Sequence, residues 1–457
     1  MSRSSRQQAG GAGYRLLLMA LLGLFLTLAG GASRLDEDQQ SLVRCAAIAA
    51  IAATLWPLEF DVLRHHWRVA TAVGAAYLLV LLQLVPLPPA LWAALPGHAV
   101  YAQIAQAADA VVWRPLSLTP DLTLNALGAL LPATAAALAA LHLDFHGRVR
   151  LAHAVVVVAC LSGLLGLAQL ASGGGWRLYR ETSADSAVGL FANRNHQAAL
   201  MACALPLTGA LAGLRLREGG ERTLIPILGA AVAAFLCLAL ISTGSRMGLL
   251  LLAVGLAGGA WAYRTSGQRL WPAAAGSRWA TVGGAAVLLA TIGLAAARGG
   301  AIERLSTQNI VSETRVAMIQ PLLTTARTFL PLGAGFGAFD SVYRQFEPKA
   351  LLSTIYMNQA HNEPLQLVIE GGVAALALLG LFLAWWGRTA WRAARAAPSA
   401  RRRTLAAAAA TVTVILMVSS LVDYPLRTPL LGALFAVACV ELALTADRRP
   451  AGQPGPA

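Results

Sequence analysis

Apolar runs of helix length recur along almost the whole chain, separated by short clusters of arginine, proline, glycine and acid. A bilayer core takes about 20 apolar residues per helix. Runs of that kind start near Tyr14, Val43, Trp67, Leu122, Leu151, Asn195, Thr223, Arg246, Trp279, Pro364, Thr404 and Thr428. The pattern predicts an all-α polytopic membrane protein of about twelve transmembrane helices, forming a single integral membrane domain over residues 1–457. Composition agrees: 57% of residues are hydrophobic, 12% are charged and the mean hydropathy is +0.62, whereas soluble domains carry about a quarter charged residues. Arg3, Arg6 and Arg15 followed by the apolar run from Leu16 to Ala29 have the look of a signal peptide. The number of spans that follow favours an uncleaved first helix.

Arginine placement gives the direction. Dense clusters fall in Asp61–Arg68, His142–Arg150, Arg215–Arg222, Arg264–Arg278, Arg388–Arg403 and the tail, while the opposite loops carry acids such as Asp36-Glu37-Asp38 or long mixed sequence. Basic residues concentrate in cytoplasmic loops, so both termini are expected in the cytoplasm. The Pro/Gly-rich tail, residues 448–457, is expected to be disordered. Two loops on the other side are long. Pro86 to Pro120 carries Pro88-Pro89, Trp113-Arg114-Pro115 and a short interfacial helix. Residues 298–363 form the longest loop, with an amphipathic helix over Thr314–Thr328 bent by Pro321, and a flexible turn at Gly333, Gly335 and Gly337. Loops of this length are uncommon unless they serve a function.

The formal net charge of +14 reads as cytoplasmic arginine plus anionic lipid contact rather than nucleic-acid binding, because no basic-aromatic surface motif occurs. Cys45, Cys160, Cys203, Cys237 and Cys439 lie inside apolar runs with no metal-ligand spacing, and read as small buried hydrophobes. Neither a disulfide, a metal site nor a cofactor is expected.

Several polar groups stand where an apolar chain does not need them. His361 ends the longest loop, just before Asn362, Glu363 and a proline-initiated helix. An imidazole exchanges protons near neutral pH, and a helix start attracts anions. Glu363, Gln366 and Glu370 continue as one helical stripe, and Glu370 at membrane depth predicts a cavity opening outward near His361. Arg246 follows the candidate N-cap Ser245, at the positive helix end where only an anion or a headgroup would favour it. Arg315 lies in the long loop. Asn193-Arg194-Asn195-His196 reads as a polar helix cap or part of a site, and Asp423 to Thr428 as a tight turn with an internal Asp423–Arg427 pair or part of the same site. His196, Arg246, Arg315, His361 and Arg427 fall on one side of the membrane under an orientation derived from other residues, which points to an outward-facing anion site.

Together these segments resemble the O-antigen ligase family. The match runs through Gln359-Ala360-His361-Asn362-Glu363-Pro364-Leu365-Gln366 with Glu370-Gly371-Gly372, then Thr243-Gly244-Ser245-Arg246-Met247-Gly248, and the loop from Arg315 to Pro331-Leu332-Gly333-Ala334-Gly335. Phe191 to His196 and Asp423 to Thr428 look like a subgroup of the same family, so the resemblance covers about Gly189 to Thr428. It implies a bacterial inner-membrane glycosyltransferase, metal- and cofactor-independent, that moves a glycan from undecaprenyl pyrophosphate to a sugar hydroxyl of lipid A–core in the periplasm. By motif, His361 takes the role of general base, and Arg246 with Arg315 that of pyrophosphate ligands. Arg194, Asn195, His196, Asn362, Glu363 and Arg427 are expected as further contacts to donor or acceptor. Pro364 stands where many members have an aromatic. A polymerase using the same donor and another glycan as acceptor fits the same residues, and so does a protein O-glycosylating ligase. A transporter or flippase would also explain many spans and an anion site, but transporters gather substrate groups near the midplane. Nothing in the sequence fixes the oligomeric state.

Overall fold

The computed structural model describes residues 17–34, 37–55, 60–183, 186–269, 309–349, 352 and 357–447. The span expected near Trp279, the start of the long loop and the tail 448–457 lie outside these residues. The helices are α1 (Leu17–Ala29), α2 (Gln39–Leu55), α3 (Phe60–His65), α4 (Trp67–Leu82), α5 (Pro89–Ala93), α6 (Ala99–Ala107), α7 (Pro120–Leu141) and α8 (Phe145–Ala171). They continue as α9 (Arg194–Arg217), α10 (Leu224–Ser242), α11 (Arg246–Thr265), α12 (Asn309–Phe329), α13 (Phe339–Tyr343), α14 (Glu363–Ala396), α15 (Ala400–Ser420) and α16 (Pro429–Ala446). Eight of them, α7 to α11 and α14 to α16, are long and apolar enough to cross a membrane, and α1, α2 and α4 are shorter apolar helices. The chain is therefore an all-α polytopic membrane protein. Among the described residues the only sheet is a two-residue antiparallel ladder, Pro86–Leu87 against Arg114–Pro115, which closes the loop holding α5 and α6.

Polar caps set the helix starts. Asp144, Asn193, Ser245, Asn362 and Ser399 each accept a backbone N–H from the first turn of α8, α9, α11, α14 and α15, satisfying a donor that the helix leaves open. The cap at Asp144 corrects the sequence reading. It starts α8 at Phe145, so Arg148 belongs to the helix and not to a loop.

α9 and α15 form the centre, alanine-rich and buried on nearly every side. Small residues let membrane helices approach closely. Where α9 meets α11, a side chain on Gly209 would run into the backbone oxygen of Gly259. Of the cysteines, Cys203, Cys237 and Cys439 are buried as expected, Cys160 is partly buried and Cys45 is exposed.

The long loop has its own core. Leu322, Ala326 and Phe329 of α12 pack with Ala334, Phe339, Val342 and Tyr343, and against Ile369 of α14. α14 breaks at Gly372, whose φ of 61° and ψ of −150° are not helical. That conformation is essentially restricted to glycine. The break frees backbone groups that the loop then binds: Ala334 N donates to Ile369 O at 2.9 Å, Gly335 N to Glu370 O at 2.9 Å, and Val373 N to Pro331 O at 2.8 Å. Gln83, at the end of α4, donates to Glu370 O at 2.8 Å and accepts from Phe336 N at 2.9 Å. The flexible turn expected at Gly333, Gly335 and Gly337 is instead a strap, in which all three hold positive φ and pack against α14 and the start of α7.

Candidate active site

Five segments meet at one end of the bundle: the starts of α9, α11 and α14, the end of α15, and the turn before α16. Asp423, fully buried in that turn, is the hub. Its Oδ1 lies 3.3 Å from His361 Nδ1 and accepts from Tyr424 N at 3.0 Å. Asn193 Nδ2 reaches both oxygens at 3.5 and 3.4 Å, and Asn195 Nδ2 donates to Oδ2. Asn195 Oδ1 accepts from the Ser245 hydroxyl at 2.8 Å, which ties the start of α11, and Arg246 with it, to the cluster. Burial alone would push the Asp423 carboxyl up. The hydrogen bond and charge of His361, the charge of His196 and the bond from Asn195 outweigh it and hold the group well below the usual carboxylate range.

His361 is the half-exposed member of this cluster, at 27% against 1% for Asp423. Its backbone sits at φ 49°, a left-handed conformation uncommon outside glycine. Such strain persists where the surroundings fix it. Here the next residue, Asn362, caps α14 through Leu365 N at 2.9 Å and donates to Leu421 O at 3.0 Å. With Nδ1–H turned to the carboxylate, the imidazole carries its lone pair on Nε2. A neutral imidazole so oriented can take a proton from a hydroxyl.

A second pair lies beside the first. Arg427 donates to Glu370 Oε2 at 3.2 Å, the arginine 27% exposed and the acid 1%. Glu370 Oε1 accepts from Gln366, which also bonds Gln359 and, through its oxygen, Ala360 N. Glu363 is buried and accepts from Leu426 N at 3.1 Å. The stripe Glu363, Gln366 and Glu370 thus faces protein and is taken up in hydrogen bonds, not in a water-filled cavity as its spacing suggested. Of the two readings of that turn, the internal Asp423–Arg427 pair does not form. A 3-10 turn over Pro425–Arg427 separates the two residues, and each pairs with α14 or the loop end before it.

The other expected residues are placed as follows. Arg246 is the first residue of α11 and exposed; Arg194 is the first of α9 and half-buried. Arg315 lies on α12, and its side chain falls outside the described residues. His196 is 1% exposed, enclosed by Phe191 and Tyr424, and faces Asp423 instead of the surface. One helical step from Asn195 turns it inward. Asp423, Tyr424 and Gln83 are not among the site residues that the sequence predicts individually. For Asp423 the available signal is an acid in a turn at the membrane boundary opposite a loop histidine. Among the described residues no group of three or more His, Cys, Asp or Glu is arranged to hold a metal ion.

No curated protein matches the chain. A family model described as O-antigen ligase matches residues 231–380. That stretch runs from within α10 through Arg246, the long loop and His361 into α14, so the part of the chain that carries these residues is similar to the O-antigen ligase family.

Proposed function

We propose that the protein transfers a glycan from undecaprenyl pyrophosphate to a sugar hydroxyl of lipid A–core, at the periplasmic face of the inner membrane. The observation that carries this reading is the half-exposed His361, inside the segment that matches the family, backed from outside that segment by the buried Asp423 carboxylate at 3.3 Å. His361 Nε2 takes the proton of the acceptor hydroxyl. The acceptor oxygen attacks the anomeric carbon as the bond from that carbon to the pyrophosphate oxygen breaks, in one inverting displacement. Asp423 accepts the Nδ1–H and stabilises the imidazolium. Arg246 and Arg315, with Arg194 and Arg427 nearby or in support, bind the pyrophosphate and stabilise the charge that develops on its leaving oxygen. The leaving group departs readily, so proton removal and charge neutralisation are the tasks left to the protein. Asn195, Asn362 and Glu363 hold these groups in place by the bonds described above.

The test is complementation of a ligase-null and a polymerase-null bacterium, read as the lipopolysaccharide ladder, with wild type and His361→Ala at matched membrane levels. Long-chain ladders in the ligase-null host that vanish with His361→Ala are expected. Rescue of the polymerase-null host alone moves the acceptor to a second lipid-linked glycan. Full activity of His361→Ala removes the base, and retention of anomeric configuration in the product removes the single displacement.

A further inference from the structure

His196 is buried beside the proposed base, yet neither of its ring nitrogens has a hydrogen-bond partner. That is a costly state for a polar group with 1% exposure, and one that calls for a reason. Its Nε2 faces Asp423 Oδ1 from 3.8 Å. This is the oxygen that His361 Nδ1 reaches at 3.3 Å. Two imidazoles therefore converge on one carboxylate oxygen, the nearer one half-exposed and the farther one sealed. The sealed ring is held from two sides. Tyr424 lies edge-on at 5.1 Å and Phe191 at 6.3 Å, and the same Tyr424 ring lies 4.9 Å from His361. The titratable groups facing His196 are Asp423, His361 and the Tyr424 phenol.

We propose that His196 is a positioning residue for the transfer, a second donor to Asp423 that holds the carboxylate in line while His361 works. A separation of 3.8 Å is too long for a hydrogen bond, but a shift of about half an ångström would make one. If His361 shifts toward an acceptor hydroxyl, its contact with Oδ1 lengthens and that buried carboxylate oxygen loses one of its donors, Tyr424 N and Asn193 remaining. His196 Nε2–H is the group placed to fill that gap, and its lack of another partner leaves it available. The inference rests on the assignment of His361 as base.

The test uses the full chain, purified in detergent, with a lipid-linked glycan donor and a lipid A–core acceptor. His196→Phe keeps the ring volume and removes the donor. It is expected to leave KM for the donor unchanged and to lower kcat about tenfold, a fraction of the roughly hundred- to ten-thousand-fold that a positioned general base contributes. His196→Gln, whose amide nitrogen stands where Nε2 stood, is expected to restore most of kcat. His196→Asn, whose amide reaches only the Nδ1 position, is not. In a His361→Ala background, His196→Phe should cost nothing further, because the two act through one carboxylate. Wild-type kcat in His196→Phe, equal defects in the Gln and Asn variants, or full additivity with His361→Ala would each overturn the proposal. If the Phe variant does not fold, the Gln–Asn comparison decides. Full activity of His361→Ala alone sinks the base assignment itself, and does so independently of any result at His196.

Discussion

At the Arg148 end of the bundle, both members of the ion pair are shut away: Arg148 and Glu441 lie 2.7 Å apart with 8% and 7% of their side chains exposed. Thr445 adds a bond to the remaining carboxylate oxygen at 3.0 Å. At the Asp423 end only the acids are sealed. Asp423 and Glu370 are 1% exposed, while their partners His361 and Arg427 are each 27% exposed. A closed pair has spent its charges on each other and links α8 to α16. A pair with a buried acid and a half-open partner holds a basic group in a fixed direction and leaves its outer side for a ligand. The same kind of contact thus fastens helices at one end and presents chemistry at the other.

The largest effects should separate the two ends by kind. Arg148→Ala leaves Glu441 buried without its cation, which for a buried pair costs about 3–5 kcal/mol. Thermal unfolding in detergent should register the loss, while the folded fraction keeps its specific activity. Replacing both residues with Met and Leu should recover much of the stability, because no uncompensated charge then remains. A normal stability for Arg148→Ala would erase the contrast between the ends.

Asp423→Asn reverses the pattern. It keeps the shape, removes the charge behind His361, and lets the amide offer its N–H to an imidazole that needs an acceptor there. kcat should fall by about a hundredfold, near 2.7 kcal/mol in the barrier, with donor KM little changed. A loss confined to KM would place Asp423 in binding instead.

Smaller effects come from the strap that aims α14. A side chain on Gly372 would meet the Pro331 carbonyl and would have to adopt φ 61°. Gly372→Ala should therefore destabilise by about 1–3 kcal/mol and lower activity with it. Gly380 lies in the same helix, and a methyl group there would meet nothing within 4 Å. Gly380→Ala should be neutral or stabilise by up to about 1 kcal/mol. Equal responses at the two glycines would mean that the break in α14 is not held by the loop.

The sequence is readable where one residue type has one local job. Apolar length predicts the helices, and Ser245 and Asn362 predict their caps, because a span and a cap are decided within a few residues. His361 stands out because it ends a loop. The partner assignments are less readable. Asp423 and Arg427 are near enough along the chain to suggest a pair, but they pair with His361 and Glu370, which come about sixty residues earlier. Gln83 meets Glu370 across an even longer separation. Such contacts depend on which helix ends are neighbours, and a single sequence does not encode that locally. Arg148 is misread for a different reason. A buried arginine looks like a loop arginine until Glu441, at the far end of the chain, is brought beside it.

The smallest effect concerns pH. The Asp423 carboxyl is held below its ordinary value in the folded protein, so its ionised form is favoured by folding. By linkage, its contribution to stability is complete above the unfolded value, near 3.9, and is lost only as pH falls through the lower folded value. The melting-temperature gap between wild type and Asp423→Asn should therefore stay nearly level from about pH 8 to pH 5 as far as this carboxyl is concerned. It should close only in stronger acid. A gap that instead widens as pH falls from about 7 to 5 would be tracking an imidazole, because the carboxylate favours a protonated ring and the amide does not. The stability of this end would then depend on the charge of His361 or His196, and the half-open pair would be holding the helices together as the closed pair does.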